Sequence, residues 1–337
     1  MTQHLALTAS LLDLPLKHPF KIARYEEAVA KNVLVRVRHG GCEGLGEAAP
    51  SERYDESPES VISVLASRPF SGDDPFALES LLGGIAPPAA RAGVDIALHD
   101  LIGKELGKPL YALLGLDPSL TPATSFTIGI SDPETTMAKL VEVGEHALLK
   151  VKLGLGTPQA QVETVAAIRS RYTGTIRVDA NEGWDVETSI HVLREMERYD
   201  VEFCEQPIPS GSPAGLKAIR EATRIPIVVD EDAMNASDLP KLYGCVDGVN
   251  VKLAKCGGIR AALAMIHTAR ALGFKIMLGS MVESAIAATA AAHLSPLVDW
   301  ADLDGPFLTA NDPFNGLRYD RQGKMLLPGG PGLGVTE

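Results

Sequence analysis

Short apolar runs alternate with longer amphipathic segments from about residue 124 onward. Five of the eight runs end at a charged residue, and the segments between the runs have helical spacing of their apolar positions. The runs are Thr124–Ile128, Leu148–Leu153, Thr175–Asp179, Val201–Glu205, Pro226–Asp230, Val246–Lys252, Lys275–Gly279 and Leu297–Asp302. The helical segments include Pro158–Arg171, Val186–Arg198, Ala214–Thr223, Asp238–Tyr243, Arg260–Leu272 and Ser284–His293. Strands that alternate with helices in this way are parallel, and eight of them predict an α/β fold with a (β/α)8-type, modified TIM barrel.

The residues before the barrel have a different pattern. Apolar and polar positions alternate over Leu5–Leu16 and Asn32–His39, which is typical of antiparallel strands, and a loop with Pro and Lys at His18–Arg24 separates them. Helical spacing follows near Ser57–Ala66 and at Pro87–Leu106. This order of elements predicts an α+β capping domain in front of the barrel.

Three segments follow from these patterns. We place the capping domain at residues 1–118 and the catalytic barrel at residues 119–312. Residues 313–337 are rich in Gly and Pro and have no helical pattern, so we expect them to pack back on the capping domain.

Composition narrows the class of protein. The 337 residues are 45% hydrophobic, enough for a large core, and the formal net charge of −12 argues against a nucleic-acid partner. The four cysteines form no CxxC pair, and the chain starts without a signal-peptide pattern. No uncharged apolar run reaches the roughly 18 residues of a membrane span. We therefore expect a cytoplasmic protein without a membrane partner; a homo-oligomer stays open.

The ends of three consecutive predicted strands carry carboxylates. They are Asp179, Glu205 and Asp230. Active sites of such barrels lie at the carboxyl ends of the strands, so the three acids should converge there. One acid after a strand is most simply a helix N-cap, but three in series repel one another unless a cation lies between them. Oxygen ligands without Cys or His suit Mg²⁺ better than Zn²⁺.

Three lysines end strands around the same predicted site. Lys150 and Lys152 alternate on the second strand, so both point into the barrel, and Lys252 ends the sixth strand on the opposite side. A lysine crowded by a metal and another lysine should have a lowered pKa and act as a base. Lys152 and Lys252 could exchange a proton α to a carboxylate while Lys150 stabilises the enolate. Two opposed bases indicate racemisation or epimerisation; one base indicates elimination or cycloisomerisation.

The motifs at these positions resemble the enolase superfamily, in its muconate-lactonising branch. The matching stretches are Lys150-Val151-Lys152, Val178-Asp179-Ala180-Asn181, Glu205-Gln206-Pro207, Asp230-Glu231, Val251-Lys252 with Gly257-Gly258, and Ala97–Leu101 with Pro109-Leu110. They keep their order and spacing over nearly the whole chain. The resemblance implies an Mg²⁺-dependent enzyme with a Lys or His base.

A motif after the last strand resembles the dipeptide epimerases, especially the L-Ala-D/L-Glu type. It is Asp302-Leu303-Asp304-Gly305-Pro306, and the resemblance implies that Asp302 and Asp304 bind the substrate ammonium. We expect this acidic clamp on the rim, away from the metal. The main alternative is an o-succinylbenzoate synthase or a muconate-type cycloisomerase, whose substrates carry no ammonium. A binding protein that kept the fold without catalysis is a second alternative.

The resemblance also assigns residues that contact the substrate. It places Arg24, in the loop of the first domain, against an acidic substrate side chain, with Lys21 as its substitute. It places Thr127 at the end of the first barrel strand and Ser280 and Met281 after the seventh strand in the pocket wall. The predicted partner is therefore a small-molecule dipeptide.

Overall fold

Two domains make up the computed structural model, which describes residues 4–21, 26–67, 70 and 72–337. The first has a three-stranded antiparallel sheet in the order β1-β2-β3. Its strands are β1 (Ala6–Lys21), β2 (Glu26–His39) and β3 (Cys42–Ala48). Its helices are α1 (Pro58–Ser67), α2 (Leu78–Leu82), α3 (Pro88–Leu106) and α4 (Leu110–Leu113). This architecture confirms the predicted α+β capping domain.

The prediction of a loop at His18–Arg24 is wrong for residues 18–21, which belong to β1. Strand β1 continues to Lys21 after an irregularity in its pairing with β2 between Pro15 and Phe20, where proline cannot donate to the ladder. Residues 22–25, which include Arg24, lie outside the described part of the chain.

Strand β3 was not predicted from the sequence because two of its seven residues are glycines, which have low strand propensity. The glycines serve packing instead. A Cβ atom at Gly44 or Gly46 would collide with the backbone of α3, at Ala97 and Gly93. Only glycine lets the sheet approach the long helix this closely.

Eight parallel strands form the second domain, in the order β4 to β11 around the sheet. They are β4 (Phe126–Ile128), β5 (Leu148–Lys152), β6 (Thr175–Asp179), β7 (Val201–Glu205), β8 (Ile227–Val229), β9 (Gly248–Lys252), β10 (Lys275–Gly279) and β11 (Trp300–Asp302). A parallel bridge between Thr124 and Ala301 joins the first strand to the last. The eight-stranded barrel is thereby confirmed.

Helices surround the barrel in the predicted alternation. They are α5 (Pro133–Val143), α6 (Pro158–Arg169), α7 (Val186–Met196), α8 (Pro213–Ala222), α9 (Leu239–Leu242), α10 (Leu253–Cys256), α11 (Ile259–Ala271), α12 (Ala285–Ala292) and α13 (Gly305–Leu308). Asp132, Thr157 and Asp185 cap the N-termini of α5, α6 and α7 by accepting a backbone N–H. No helix in the described ranges is long and apolar enough to cross a membrane.

The last predicted strand starts three residues late. The sequence Leu297–Asp302 reads as one apolar run, but Ser295–Leu297 forms a 3₁₀ turn and only Trp300–Asp302 pairs with β10. Pro296 inside the turn has no N–H to donate to a ladder. The shift leaves Asp302 at the strand end, as predicted.

An apolar layer and one buried arginine, Arg177, which we call the arginine plug, fill the barrel interior. The apolar layer consists of Phe203, Val228, Met277 and the partly buried Trp300. Beside it lies Arg177, 3% exposed, whose guanidinium stacks over Phe203 at 5.2 Å. Its Nη1 donates to Ser125 Oγ at 2.8 Å and to Ala301 O at 3.0 Å. Arg177 thus ties the third strand to the closing edge of the barrel.

The capping domain supplies acids to the N-termini of barrel helices. Asp95 of α3 accepts from the backbone N–H groups of Ile259 and Arg260, which begin α11. Glu47 of β3 accepts from the N–H of Ser284 at 3.0 Å and of Ala287 at 3.2 Å at the start of α12. Negative charge at a helix N-terminus is favourable, so these contacts fix how the two domains meet.

The C-terminal residues contact the barrel first and return to the first domain only near their end: Gly323 O accepts the N–H of Thr124 at 2.9 Å and Gln322 O that of Ala147 at 3.2 Å. They contain the short strands β12 (Arg318–Tyr319) and β13 (Met325–Leu326). The N–H of Leu333 donates to Asp100 Oδ1 of α3 at 2.8 Å, and the N–H of Leu110 donates to Gly332 O at 2.8 Å. The domain limits 1–118, 119–312 and 313–337 stay predictions.

Candidate active site

A pocket opens where the barrel strands end and the capping domain covers them. Lys150, Lys152, Lys252, Asp230, Asp302, Asp304, Thr127, Ser280 and Met281 line it together with residues 51, 53, 54, 181, 282 and 308. Nine of the twelve predicted site residues therefore meet in one cavity. Asp179 and Glu205 lie just beneath it as partners of Lys150, and Arg24 lies outside the described residues.

The three candidate metal ligands sit on consecutive strands, as predicted. Asp179 and Glu205 stand opposite each other in the β6–β7 register, and Asp230 follows β8 directly. Their exposed fractions are 1%, 0% and 3%. Lys150 Nζ lies 3.1 Å from Asp179 Oδ2 and 2.6 Å from Glu205 Oε2, so two of the acids converge on one point.

The nearest partners of these three acids are lysine ammonium groups; the acids do not contact one another as closely. Among the described residues, no three His, Cys, Asp or Glu side chains are arranged to hold a metal ion as they stand. The nearest partners of the buried Glu205 Oε2 and Asp230 Oδ1 are the ammonium groups of Lys150, at 2.6 Å, and Lys255, at 2.5 Å. Carboxylate oxygens are the ligands that Mg²⁺ prefers, and a divalent cation would satisfy the same negative charge, so the residue types fit the predicted metal.

Two lysines of the site have raised pKa values. Burial alone would lower the pKa of Lys252, but the negative charges of Asp230, 2.9 Å from its Nζ, and of Glu205 outweigh that effect and raise the pKa. Lys150 likewise has a raised pKa, because Asp302, Glu205 and Asp179 outweigh its burial. Acids face the two amines, which favours their charged forms; the lowering predicted for a lysine beside a bound cation stays a prediction.

Lys152 and Lys252 approach the pocket from opposite sides. Lys152 ends β5 and Lys252 ends β9, and β6, β7 and β8 lie between them. In a ring of eight strands that separation is half the circumference. Lys152 Nζ bonds Asp179 Oδ2 at 2.7 Å, while Lys252 Nζ bonds Asp230. One amine therefore flanks each side of the space between the acids.

Asp302 and Asp304 are more deeply placed than predicted. They are 6% and 5% exposed, and Asp302 Oδ2 accepts from Lys150 Nζ at 2.6 Å. The expectation of a clamp on the rim, away from the metal acids, is wrong, because Lys150 bridges both groups. Asp304 Oδ2 accepts the N–H of Thr127 at 2.7 Å. Burial and the nearby charge of Asp302 raise the pKa of Asp304 to about 6.

The other predicted contacts fall in two groups. Thr127, Ser280 and Met281 line the pocket, and Ser280 Oγ donates to Asp302 O at 3.3 Å. Lys21 is exposed, its Nζ lies 3.6 Å from Glu26 Oε2, and the residue does not line the pocket. The position of Lys21 therefore does not support the prediction that it could bind the substrate in place of Arg24.

A buried amide, missed by the sequence analysis, positions the loop that carries Asp230. Gln206 Oε1 accepts the N–H groups of Asp230 at 3.0 Å and Glu231 at 3.1 Å, and its Nε2 donates to Asp232 Oδ2 at 2.8 Å. Gln206 has a φ of 34°, unusual for a residue other than glycine. Its place after Glu205 in the motif was the available signal, but the direction of its side chain was not readable.

A second buried lysine also positions Asp230. Lys255 Nζ lies 2.5 Å from Asp230 Oδ1 and donates to the backbone carbonyls of Asp230, Ala233 and Asn250. Its N–H donors all bind this loop and the end of β9, so Lys255 holds Asp230 in place.

The capping domain contributes a wall that the sequence analysis missed. Ser51, Arg53 and Tyr54, around the 3₁₀ turn Glu52–Tyr54, line the pocket. The segment follows β3, which was itself not predicted. Without that strand nothing in the sequence indicated that this loop would reach the barrel.

Two buried acids stand close to one another beside the pocket. Burial and the charge of Glu47 raise the pKa of Glu283 to about 8, while Lys252 counteracts this in part. Glu47 accepts from four donors within 3.2 Å, on Asn32, Ser284 and Ala287, which favour its charged form against the burial that raises its pKa. Burial and the charge of Glu47 therefore favour the protonated form of Glu283.

The raised pKa of Glu283 predicts a pH-dependent stability. Its folded-state pKa of about 8 exceeds the unfolded value of about 4.3, so the free energy of unfolding falls as pH rises between these values. Glu283→Gln removes the titration. Its stability relative to the parent should rise between pH 6 and pH 8, by at most about 1.4 kcal/mol per pH unit. Urea unfolding at several pH values measures this; a constant difference would contradict the shift.

Known families match both parts of the chain. The description "Mandelate racemase / muconate lactonizing enzyme, N-terminal domain" matches residues 6–115, and "Enolase C-terminal domain-like" matches residues 134–336. The chain is 38% identical to the L-Ala-D/L-Glu epimerase of Bacteroides thetaiotaomicron over 335 residues, 96% of this chain and 86% of that protein. It is 36% identical to a hydrophobic dipeptide epimerase of a Flavobacteria bacterium over 331 residues, 95% of this chain and 94% of that protein.

A solved structure has the same fold over the full length. The crystal structure of a dipeptide epimerase from Cytophaga hutchinsonii, complexed with Mg and the dipeptide D-Ala-L-Val, superimposes with a TM-score of 0.93. The match has 31% sequence identity and covers 100% of this chain and 96% of that chain. The similarity therefore includes the capping domain, the barrel and the junction where the pocket lies.

Proposed function

Because the chain belongs to the mandelate racemase and muconate lactonizing enzyme family of the enolase superfamily, we propose that it is a dipeptide epimerase. It would invert the α-carbon of the C-terminal residue of its substrate. One observation carries the proposal: Lys152 and Lys252 end opposite strands of the barrel and line the same pocket. Inversion needs an acid/base group on each face of the reacting carbon.

Each lysine has a defined task in this reaction. The lysine on one side, as the neutral amine, takes the α-proton and becomes an ammonium, while the electron pair of the C–H bond moves into the carboxylate. The lysine on the other side, as the ammonium, delivers a proton to the opposite face and becomes neutral. Lys150, buried between the acids, would stabilise the negative charge of the enolate. Mg²⁺ held by Asp179, Glu205 and Asp230 would supply Lewis-acid stabilisation of that charge.

The acids beside Lys150 support a substrate with a free ammonium. Asp302 Oδ1 is buried and has no hydrogen-bond partner among the described residues. Together with Asp304 it offers negative charge next to the pocket, which suits a cationic group. A cycloisomerase or an o-succinylbenzoate synthase would have no use for this charge, so the alternative functions are not favoured.

Replacing Asp304 tests the ammonium site without touching Lys150. We expect the parent enzyme to prefer a free dipeptide over its N-acetyl derivative. Asp304→Asn should reduce that preference by about tenfold, since a charge-assisted hydrogen bond contributes roughly 1.5–3 kcal/mol. The measurement is kcat/KM for both compounds with both proteins. An unchanged ratio would place the ammonium elsewhere and reopen the cycloisomerase alternative.

The choice of dipeptide rests on the relatives. Two of them act on different substrates, L-Ala-D/L-Glu in one and hydrophobic dipeptides in the other. We propose L-Ala-D/L-Glu or a similar dipeptide as the substrate, on the strength of the 38% identical relative.

Solvent exchange tests the function directly. The protein is incubated with Mg²⁺ and a panel of dipeptides in D₂O, and the mass of each dipeptide is followed with time. An epimerised substrate gains one mass unit at the α-carbon of its C-terminal residue, because a lysine ammonium exchanges its protons with solvent. A panel without exchange in any dipeptide would overturn the proposal.

A further inference from the structure

A short segment of the capping domain reaches over the pocket and touches the barrel. Residues 51–56 hold their own turn, with the N–H groups of Tyr54 and Glu56 donating to Ser51 O at 2.9 and 3.2 Å. On the side of the capping domain, Glu56 Oε1 accepts the N–H of Ala89 at 3.0 Å, at the start of α3. On the side of the barrel, the contact is made by Arg53.

Arg53 binds two barrel loops at once. Its Nε and Nη2 donate to Glu182 Oε2 and Oε1, each at 3.0 Å, which is a bidentate ion pair. Nη2 also donates to Ser210 Oγ at 3.0 Å. Glu182 belongs to the loop after β6 and Ser210 to the loop after β7. One guanidinium therefore fastens the capping segment to the two loops that follow Asp179 and Glu205.

The acidic partner is held in place before Arg53 reaches it. The side chain of Glu182 is 9% exposed, and its Oε1 also accepts the N–H of Ser210 at 2.8 Å. Its backbone has a φ of 66°, and its N–H donates to Gln206 O at 2.9 Å. Because this carboxylate is already fixed, Glu182 loses little conformational freedom when it pairs with Arg53. The contact should therefore be stronger than that of a mobile surface pair.

From this geometry we propose that Arg53 and Glu182 form an interdomain latch that holds residues 51–56 over the pocket. Arg53 is a positioning residue in this role, and Ser51 and Tyr54, which line the pocket beside it, are the groups that it positions. The latch acts on how firmly the substrate is held and leaves the proton transfers to the lysines. Its effect on substrate binding rests on the proposed function, while its effect on the segment does not.

The experiment measures the segment and the reaction separately. In Arg53→Met, Glu182→Met and the double variant, amide hydrogen exchange of residues 51–56 is followed by mass spectrometry without substrate. KM and kcat for the best dipeptide are measured with the same proteins. We expect each single variant to speed exchange and to raise KM by about fivefold, with kcat within about twofold of the parent. The double variant should match the single ones, because both remove the same contact. Arg53→Lys should recover part of the loss.

The chain provides a matched control. Arg260 of α11 pairs with Glu79 of α2 at 2.9 Å across the same domain junction, and its side chain is 39% exposed, as is that of Arg53. Arg260→Met should leave KM and the exchange of residues 51–56 unchanged. Unchanged exchange in Arg53→Met, equal effects in the two arginine variants, additive effects in the double variant, or a fall in kcat alone would each overturn the latch. If the parent turns over no dipeptide, the proposed function fails, and the exchange data still decide the latch.

Discussion

Replacing Lys252 by methionine should reduce epimerisation by about 10² to 10⁴-fold, the range that a positioned acid/base group contributes. Lys252 is 8% exposed, and no other lysine of the described chain lines its side of the pocket. Methionine keeps the length and the apolar stem of the side chain but removes the exchangeable protons. One face of the α-carbon then has no group to take or deliver a proton.

The loss should be asymmetric between the two epimers. Lys152 still flanks the other face, so the epimer whose α-proton points toward Lys152 should continue to exchange that proton with D₂O without inversion. The opposite epimer should neither exchange nor invert. Lys152→Met should give the mirror result. Proton NMR of each pure epimer in D₂O separates exchange from inversion, because the α-proton signal disappears while the configuration is read by chiral chromatography.

An exposed lysine provides the control for this prediction. Lys275 begins β10, is 60% exposed at its side chain and pairs with Asp299 at 2.9 Å, far from the strand ends that form the pocket. Lys275→Met should keep both activities. If Lys252→Met lost exchange into both epimers equally, the two-base mechanism would be wrong, and a single base would have to serve both faces.

Removing the arginine plug should cause the largest loss of stability. We expect Arg177→Ala to lower the free energy of unfolding by about 3–5 kcal/mol, as for other buried charged groups whose partners are left behind. The substitution removes the guanidinium that donates to Ser125 Oγ and Ala301 O at the edge where the first and last strands meet. It also leaves the carboxylate of Glu202, 2.6 Å from Arg177 Nε, without this partner. It also opens a space beside Phe203, which adds a cavity term.

Equilibrium unfolding in urea measures this effect. The midpoint for Arg177→Ala should fall well below that of the parent. Its activity at low temperature should persist, because the side-chain partners of Arg177, which are Glu202, Ser125 and Ala301, do not line the pocket. Arg198→Ala is the matched control, since Arg198 is 60% exposed and pairs with the exposed Glu195. It should change stability by less than about 0.5 kcal/mol. An equal effect in the two variants would show that the plug is not needed for barrel closure.

The positions of the strand ends could be predicted from the sequence because they depend on local pattern. Apolar runs of β-branched residues have to be strands between helices, and a parallel barrel brings their carboxyl ends to one face. Asp179, Glu205 and Lys252 therefore end strands as expected. The same logic failed at β3, where Gly44 and Gly46 weaken the strand pattern in order to accommodate α3.

The partners of the charged groups could not be predicted, because they join residues far apart in the chain. Lys150 and Asp302 are separated by 152 positions. Because they form a hydrogen bond, the predicted ammonium clamp lies inside the site and not on its rim. The charges of Asp302, Glu205 and Asp179 also raise the pKa of Lys150 against the effect of its burial, which the sequence did not show. Charge is read from sequence, but its effect on a pKa depends on distance and burial.

For this protein the sequence by itself determined the barrel, the capping domain and the kinds of side chain that meet at the strand ends, since periodicity and strand order are properties of the chain. The tertiary structure alone decided that Arg53 reaches Glu182, 129 positions away, and that Gln206 positions the turn of Asp230. These contacts depend on how two separately patterned domains dock and on which way each side chain points. The local hydrophobic pattern gives information on neither point. It shows which face of a helix or strand is buried, but not how far that element lies from another.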